Sequence, residues 1–316
     1  MSLKETFNKQ GGMKLIKGYR KSGALFTATS EFVLLGKSRT ALEILRLSTS
    51  LKTKKKLSKK FGGLLAEFDK SYDRNLPHEQ SDKVWICWFQ GIENAPEIVK
   101  KCCAELKRNL PSKEIVVITD DNMSDYVQFP DYILEKRKSG VITPAQMSDL
   151  LRTELLIRYG GTWIDATVLC TRPESEIPEY FFNSELFFFQ SLKPGRDGHS
   201  TYPSSWFINA KTNNKILCAT RYLHYAYFRK YNEVMDYFLF HYFLTMALEY
   251  YSDDWKSIVP RDNATPHILL LRLFDRYDAD MWRYITDQTP FHKLTYKFTP
   301  EDAKKADTFF THIIEG

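Results

Sequence analysis

A helix that ends at two glycines and leads directly into a strand lies at the middle of the chain and limits its fold more than any other feature. Thr143-Pro144 has the residue types of an N-cap followed by the first helical position, and Gly160-Gly161 predicts the end of the same helix. A strand is predicted directly afterwards, over residues 162–170. The sequence therefore places a helix end and a strand start in direct succession.

Polar side chains on this joined helix and strand are spaced so that they can meet. Asp149 and Arg152 are three residues apart and share a helical face, whereas Asp165 and Thr167 are two apart and would point the same way on a strand. A surface ion pair would explain the first spacing equally well and would contribute little. A carboxylate such as Asp165 in an apolar strand needs a partner or a function, which favours a site.

A strand–helix–strand unit precedes this region. Residues 84–89 and 114–119 have the composition of buried strands, and residues 95–110 are predicted to form the helix between them. Such a unit predicts an α/β fold with a parallel sheet, in which ligands bind beyond the carboxyl ends of the strands. Trp88 and Gln90 then lie at the mouth of the site.

Charge divides the chain into two predicted domains, residues 1–80 and 81–316. Residues 1–60 carry 15 Lys and Arg against 3 Asp and Glu, which leaves 30 basic and 36 acidic residues in the rest. The net charge of +6 therefore belongs to a basic, mostly helical N-terminal extension. A nucleic-acid enzyme would carry its basic surface on the catalytic body, so nucleic acid is excluded as a partner.

The lysine-rich run at residues 52–60 has two interpretations. It is either a solvated helix face or a contact with the anionic inner leaflet of a membrane, where basic residues are attracted to lipid headgroups. Five cysteines without a CxxC pair indicate reduced thiols, and no apolar run of the signal-peptide type begins the chain. We therefore expect a cytoplasmic protein that is peripheral on the inner face of the cell membrane.

Three motifs together resemble a known family. The Trp-rich first strand, Ser148-Asp-Leu-Leu-Arg152 with Tyr159-Gly-Gly-Thr-Trp-Ile-Asp165, and the later His292-Lys293 resemble the capsular polysaccharide synthesis glycosyltransferases. Those enzymes are similar to glycosyltransferase family 32 and, more distantly, to the glucosylating clostridial toxins. The resemblance covers residues 83–297 and implies a GT-A-type, Rossmann-like domain that binds a nucleotide sugar.

The resemblance also implies roles for individual residues. Asp149 and Arg152 would hydrogen-bond the hydroxyls of the donor sugar, and Asp165 would hold both the ribose and the sugar; these three form the predicted catalytic set. Either Trp85 or Trp88 would stack on the nucleotide base, with Gln90 beside it. The further residues expected near the sugar and diphosphate are Asn209, His292, Lys293 and Lys297. Asn209 could equally cap a turn, and His292 could be structural.

The motif Asp165-Ala-Thr167 departs from the family pattern, in which a second Asp holds a divalent metal. A neutral hydroxyl is a weak ligand for Mg²⁺ or Mn²⁺. Three interpretations stay open. Asp165 and the diphosphate hold the metal with Thr167 nearby, or His292 replaces the missing ligand, or cations such as Lys293 and Lys297 act in place of a metal.

The sequence thus predicts a retaining glycosyltransferase. It would move a hexose from a nucleotide sugar, with UDP as the expected carrier, to a lipid-linked saccharide during synthesis of a surface polysaccharide. The residues 1–60 would contact the anionic membrane that carries the acceptor. The alternative is a non-catalytic sugar-nucleotide-binding or assembly protein descended from such an enzyme, and Thr167 is the feature that favours it.

Overall fold

The computed structural model describes residues 12–191 and 201–315 of the chain. Its strands are β1 Lys83–Cys87, β2 Glu114–Ile118, β3 Gly161–Ile164, β4 Val168–Cys170, β5 Leu186–Gln190, β6 Pro203–Ala210 and β7 Phe291–Lys293. Its α-helices are α1 Gly12–Ser22, α2 Leu25–Leu35, α3 Arg39–Phe61, α4 Gly63–Ser71, α5 Glu97–Asn109, α6 Met123–Tyr126, α7 Asp131–Lys138, α8 Pro144–Tyr159, α9 Lys215–Lys230, α10 Leu239–Tyr250, α11 Ser252–Lys256, α12 Ile268–Arg272, α13 Ala279–Thr286, α14 Pro300–Ala303 and α15 Phe309–Glu315. The predicted α/β class is confirmed.

The central sheet has the strand order β2-β1-β3-β6-β5. Strand β1 pairs in parallel with β2 and β3, which confirms the predicted strand–helix–strand unit with α5 as its crossover helix. Strand β6 runs antiparallel to both β3 and β5, so the sheet is mixed and the expectation of a parallel sheet holds only for its first three strands. Strands β4 and β7 form a separate antiparallel pair.

Helix α8 lies deep in the fold between the central sheet and α9. It begins with a capping box, in which the Thr143 side chain accepts from the Gln146 backbone and the Gln146 side chain accepts from the Thr143 backbone. Apolar and polar residues alike are buried along the helix, including Asp149 and Arg152. Because little of these charged groups is exposed to water, they need partners within the protein.

The glycines after α8 allow β3 to approach β1 closely. Gly160 and Gly161 have φ values of 64° and 91°, a region that other residues rarely adopt. A Cβ atom on Gly161 would lie 2.3 Å from the carbonyl oxygen of Lys83, at the start of β1. The Gly160 carbonyl accepts a 2.9 Å hydrogen bond from the Trp85 indole. The glycines therefore permit both the helix end and the strand pairing.

The strand predicted over residues 162–170 is divided in the structure. Strand β3 ends at Ile164, and β4 begins at Val168 in the other sheet. A turn joins them, closed by a 3.0 Å hydrogen bond from the Val168 N–H to the Asp165 carbonyl. The expectation that Asp165 and Thr167 share one face of a strand is therefore wrong, because both lie in this turn.

The N-terminal extension packs on the sheet-containing body. Leu57 and Phe61 of α3 belong to the same apolar cluster as the buried residues of α8 and α10. The Phe61 ring lies 5.8 Å from that of Tyr227 and 5.7 Å from that of Phe243, measured between centroids. Apolar contacts thus cross the predicted boundary between residues 80 and 81, and the division into two domains stays a prediction.

The lysine-rich run lies on α3 and is not uniformly solvated. Lys54 pairs with Glu249, and the Lys60 amine donates a 2.9 Å hydrogen bond to the Tyr231 hydroxyl. Four members are exposed, and the first three of them lie three and four residues apart on one face: Lys52, Lys55, Lys59 and Lys60. No helix among the described residues combines the length and the apolar character needed to cross a bilayer.

Replacing Gly161 with alanine should destabilise the fold by at least about 2 kcal/mol, because the new Cβ meets the β1 backbone and the φ angle is unfavourable. The measurement is the free energy of unfolding from urea titration. Gly63→Ala is the matched control, because nothing lies within 4 Å of its added Cβ. Equal losses in the two variants would contradict the close approach of β3 to β1.

Candidate active site

A cavity of about 600 Å³ opens where the carboxyl ends of β1 and β3 meet the start of α8. The segment after β7 closes another side, and Tyr237 and His241 contribute from the region before and within α10. Most of the residues predicted for the site line this cavity: Trp88, Gln90, Asp149, Arg152, Asp165, Thr167, Lys293 and Lys297. The predicted convergence of helix α8 with the residues after β3 is therefore confirmed.

The Arg152 guanidinium joins the elements that surround the cavity. It donates to the Ser205 carbonyl over 2.6 Å and to the Ser148 side chain over 3.2 Å. It also lies 4.8 Å from the centre of the Trp163 ring, in cation–π geometry. Most of its donors are thus directed at the protein, so Arg152 is placed to organise the site as well as to bind a ligand.

Two carboxylates lie on either side of this guanidinium. The Arg152 Nη1 atom is 3.4 Å from Asp149 Oδ1, and Nη2 is 3.5 Å from Asp165 Oδ1. The ion pair predicted from the spacing of Asp149 and Arg152 is therefore present, but it is buried within the protein. Arg152 holds the two carboxylates in one cluster and offsets their mutual repulsion.

Asp165 is surrounded by donors. Its Oδ1 accepts a 3.0 Å hydrogen bond from the Trp163 indole, and its Oδ2 lies 3.2 Å from the Lys293 amine. Burial by itself opposes ionisation, but Lys293 and then Arg152 outweigh it and hold the pKa of Asp165 below its usual value. Asp165 is therefore the ionised carboxylate of the pair.

Asp149 has the opposite tendency. Its side chain is only 10% exposed, and burial raises its pKa to about 7, with Arg152 opposing the shift and Asp165 adding to it. At neutral pH a substantial fraction of Asp149 therefore carries a proton. The site presents one carboxylate that accepts hydrogen bonds and one carboxyl group that can also donate them.

Lys293 reaches the turn through the pairing of β4 with β7. The register aligns Val168 with Lys293, and the Leu294 N–H donates a 2.9 Å hydrogen bond to the Thr167 carbonyl. The Lys293 amine donates to the Thr167 hydroxyl and also pairs with Asp165. Thr167 thus binds an internal cation at the position where the sequence resemblance led us to expect an acid.

These residues do not fit a divalent metal. Both oxygens of Asp165 already face donors, and the Lys293 ammonium would repel a second cation by about 4 kcal/mol for each pair of unit charges 4 Å apart. Thr167 adds only a neutral hydroxyl. Over residues 12–191 and 201–315, no three His, Cys, Asp or Glu side chains are grouped so that they could hold a metal.

Aromatic rings border the mouth of the cavity. Trp88, predicted to stack on a base, meets Tyr296 edge to face with centroids 5.2 Å apart. Tyr237, which belongs to none of the predicted motifs, is 64% exposed and lines the cavity. Burial raises the pKa of the Tyr237 hydroxyl, and the nearby carboxylates of Asp149 and Asp165 raise it further. Tyr237 lies between α9 and α10, outside any helical repeat, and this position was the sequence signal that could have indicated its exposure.

Three predicted residues lie away from the cavity. Trp85 is fully buried in the middle of β1, so its ring has no free face for a base. Asn209 is also fully buried and donates to Gly161, Thr162 and Phe182, so it ties strands together, and a sugar contact is excluded. The third residue is His292.

His292 points away from Lys293, as alternate side chains on a strand do. It is fully buried, and its Nε2 atom lies 3.1 Å from the Thr171 hydroxyl. Burial lowers its pKa to about 4, so its ring is neutral near pH 7. Because it does not line the cavity, the expectation that His292 contacts the diphosphate or replaces a metal ligand is wrong.

Asp149→Asn should change the pH dependence of stability. The raised pKa of Asp149 means that the wild type loses stability as the pH rises from 4 to 8, by up to about 4 kcal/mol relative to the amide variant. Urea unfolding at several pH values measures this difference. The exposed Asp253→Asn serves as control and should show no such trend. A pH-independent difference for Asp149→Asn would contradict the assigned environment.

Curated relatives match part of the chain. The O-glycosyltransferase PaGT of Phomopsis amygdali is 23% identical over 150 residues, or 43% of this chain and 36% of its own length. The O-glycosyltransferase braB of Annulohypoxylon truncatum is 29% identical over 154 residues, or 43% of this chain and 35% of its own length. The matched region thus spans only about a third of these relatives.

A solved structure named PaToxG Glycosyltransferase covers 86% of this chain and 98% of its own at 15% identity, with a TM-score of 0.37. A likeness of that size supports no argument about the fold or the site. The sequence model of a family described as "Capsular polysaccharide synthesis protein" matches residues 39–313. This match includes α3 and α4, which the sequence resemblance had left out. Because it extends over most of the chain, the protein belongs to the capsular polysaccharide synthesis protein family.

Proposed function

We propose that the protein is a glycosyltransferase that moves a hexose from a nucleotide sugar, with UDP as carrier, to a lipid-linked saccharide. The observation that carries the proposal is the buried Asp149–Arg152–Asp165 cluster at the carboxyl ends of parallel strands, in a member of a capsular polysaccharide synthesis family. The names of the curated relatives support sugar transfer. A GT-A-type, Rossmann-like domain and a relationship to family 32 belong to the same proposal.

The nucleotide would lie at the aromatic mouth of the cavity. Trp88 is half-buried and Tyr296 is exposed, so both offer apolar ring surface to a planar base, and Gln90 lies beside them. Stacking on such rings contributes binding energy without selecting one base. Stacking on Trp88 and Tyr296 therefore does not distinguish uracil from the other bases.

The donor sugar would lie deeper, against the two carboxyl groups. Asp165, held ionised by Lys293 and Arg152, accepts hydrogen bonds from hydroxyls of the ribose and the sugar. Asp149, with its raised pKa, can both accept from and donate to a sugar hydroxyl. Because Asp165 only accepts hydrogen bonds and Asp149 can also donate them, the two groups favour one orientation of the sugar hydroxyls.

In the transfer, the acceptor hydroxyl oxygen forms a bond to the anomeric carbon while the bond from that carbon to the diphosphate oxygen breaks. The electron pair of the broken bond stays on the diphosphate, which also takes the proton of the acceptor hydroxyl. We propose that configuration is retained by attack on the leaving-group side, and that no covalent intermediate forms on Asp165, because donors from Arg152, Trp163 and Lys293 weaken it as a nucleophile. Attack on the leaving-group side needs no covalent intermediate with the protein.

The alternative is a protein that binds the nucleotide sugar without turning it over. Thr167 favours this alternative because it removes a carboxylate from the family motif. The two functions differ in one measurement, since only the transferase releases nucleoside diphosphate from the bound donor.

Asp165→Asn and Asp149→Asn should each lower kcat/KM at least about 100-fold, because a carboxyl group that orients the hydroxyls of the donor is lost. The assay measures nucleoside diphosphate released from a panel of nucleotide sugars, with and without saccharide acceptors. Asp253→Asn, exposed and not among the residues that line the cavity, is the control. Undiminished turnover in both site variants would overturn the proposed active site. Donor binding without any turnover in the wild type would establish the alternative.

We also propose that the N-terminal extension contacts the anionic inner face of the cell membrane, where a lipid-linked acceptor would be located. Helix α2 supports this contact with three strongly exposed apolar side chains, Phe26 at 82%, Val33 at 75% and Leu34 at 79%. They are seven and eight residues apart and share one helical face. Exposed Lys37 and Arg39 follow directly, so apolar and basic groups are adjacent as at a lipid headgroup boundary.

Phe26→Ser combined with Leu34→Ser should reduce binding to vesicles that contain phosphatidylglycerol at least tenfold, while leaving donor hydrolysis unchanged. Cosedimentation at low and at physiological salt measures the binding. Leu271→Ser is the matched control, because Leu271 is 80% exposed on α12. Unchanged vesicle binding in the double variant, or equal binding of the wild type to neutral vesicles, would contradict the proposed contact.

A further inference from the structure

The turn between β3 and β4 contains an internal cation where the family motif would place a metal. Lys293 is positioned by the β4–β7 ladder, and its amine lies 3.2 Å from Asp165 and donates to Thr167. Its side chain is 20% exposed and lines the cavity, so part of the side chain is accessible to a ligand. The cation is therefore both fixed in position and accessible.

We propose that Lys293 takes the place of a divalent metal, so that the protein binds the diphosphate of its donor without one. The inference depends on the proposed function, because the diphosphate is the leaving group of that reaction. A fixed ammonium aimed at the departing diphosphate stabilises the negative charge that develops on it as the anomeric bond breaks. In this arrangement Thr167 serves as a hydrogen-bond partner of Lys293 and not as a metal ligand.

The charges in the cavity agree with this assignment. Arg152, Lys293 and Lys297 supply three cations against the carboxylates of Asp149 and Asp165. The loop after β7 brings Lys297 to the same opening as Tyr296. The lining thus carries excess positive charge, which suits a dianionic diphosphate, whereas a metal site would have excess carboxylate.

Arg152 is a less suitable replacement for the metal. Its donors already contact Ser205, Ser148 and the two carboxylates, and only 6% of its side chain is exposed. Lys293 makes fewer contacts, and a Lys amine has three donors that rotate freely about one bond. Of Arg152 and Lys293, only Lys293 therefore has a donor available for phosphate oxygens.

The test measures binding of uridine diphosphate and the three other ribonucleoside diphosphates by calorimetry, in EDTA and in Mn²⁺. The wild type should bind its preferred nucleotide with a Kd that changes less than threefold between the two conditions. Lys293→Met should weaken binding at least tenfold in both, and Lys293→Arg should retain most of it. Lys256→Met, exposed on α11 and outside the cavity, should bind as the wild type does.

A double variant supplies an independent readout. Thr167→Asp with Lys293→Ala restores two acids in the turn and removes the ammonium. We expect this variant to bind Mn²⁺, seen as loss of the free-ion signal in electron paramagnetic resonance, and to need Mn²⁺ for tight nucleotide binding. Circular dichroism checks that each variant is folded. If Lys293→Met does not fold, Lys293→Arg still tests whether a cation at this position is sufficient for nucleotide binding.

Wild-type nucleotide binding that is lost in EDTA and restored by Mn²⁺ would overturn the role of Lys293 and leave the proposed transferase standing. Strong Mn²⁺ binding by the wild type without nucleotide would do the same. Failure to bind any nucleoside diphosphate under either condition would overturn the proposed function and, with it, this inference.

Discussion

The site depends on one buried guanidinium. Arg152 lies between two carboxylates, its guanidinium lies over the Trp163 ring, and it donates a hydrogen bond to the backbone of β6 at Ser205. It therefore connects α8, the turn after β3 and the neighbouring strand through charge as well as packing. A buried cation of this kind is stable only while its partners remain, so the cluster behaves as a unit. The geometry of the cavity follows from that unit.

Local spacing was enough to predict the centre of this arrangement. The N-cap at Thr143, the helix end at Gly160 and the carboxylate at Asp165 are all close in sequence, and short-range geometry constrains them strongly. The strand–helix–strand unit was likewise predictable, because its apolar runs and helical periodicity are local patterns. The prediction of the site was most accurate where the elements are joined directly.

Residues that depend on distant partners were predicted less well. Trp85 and Trp88 look equivalent in sequence, but only the second lies beyond the strand end. His292 and Lys293 are adjacent, yet strand alternation turns one into the core and the other towards the turn, and the sequence does not reveal the direction. Tyr237 belongs to none of the sequence motifs, and only the folded arrangement of the chain brings it to the cavity.

The pairing of β4 with β7 has a consequence for how the protein is made. It joins Val168 to Lys293, so the cation beside Asp165 comes from a segment synthesised more than a hundred residues later. Until that segment has left the ribosome and paired, the carboxylates have Arg152 as their cationic neighbour but lack Lys293. A nascent chain would therefore lack one of the two cations that neighbour Asp165. Completion of the site is coupled to completion of its last strand.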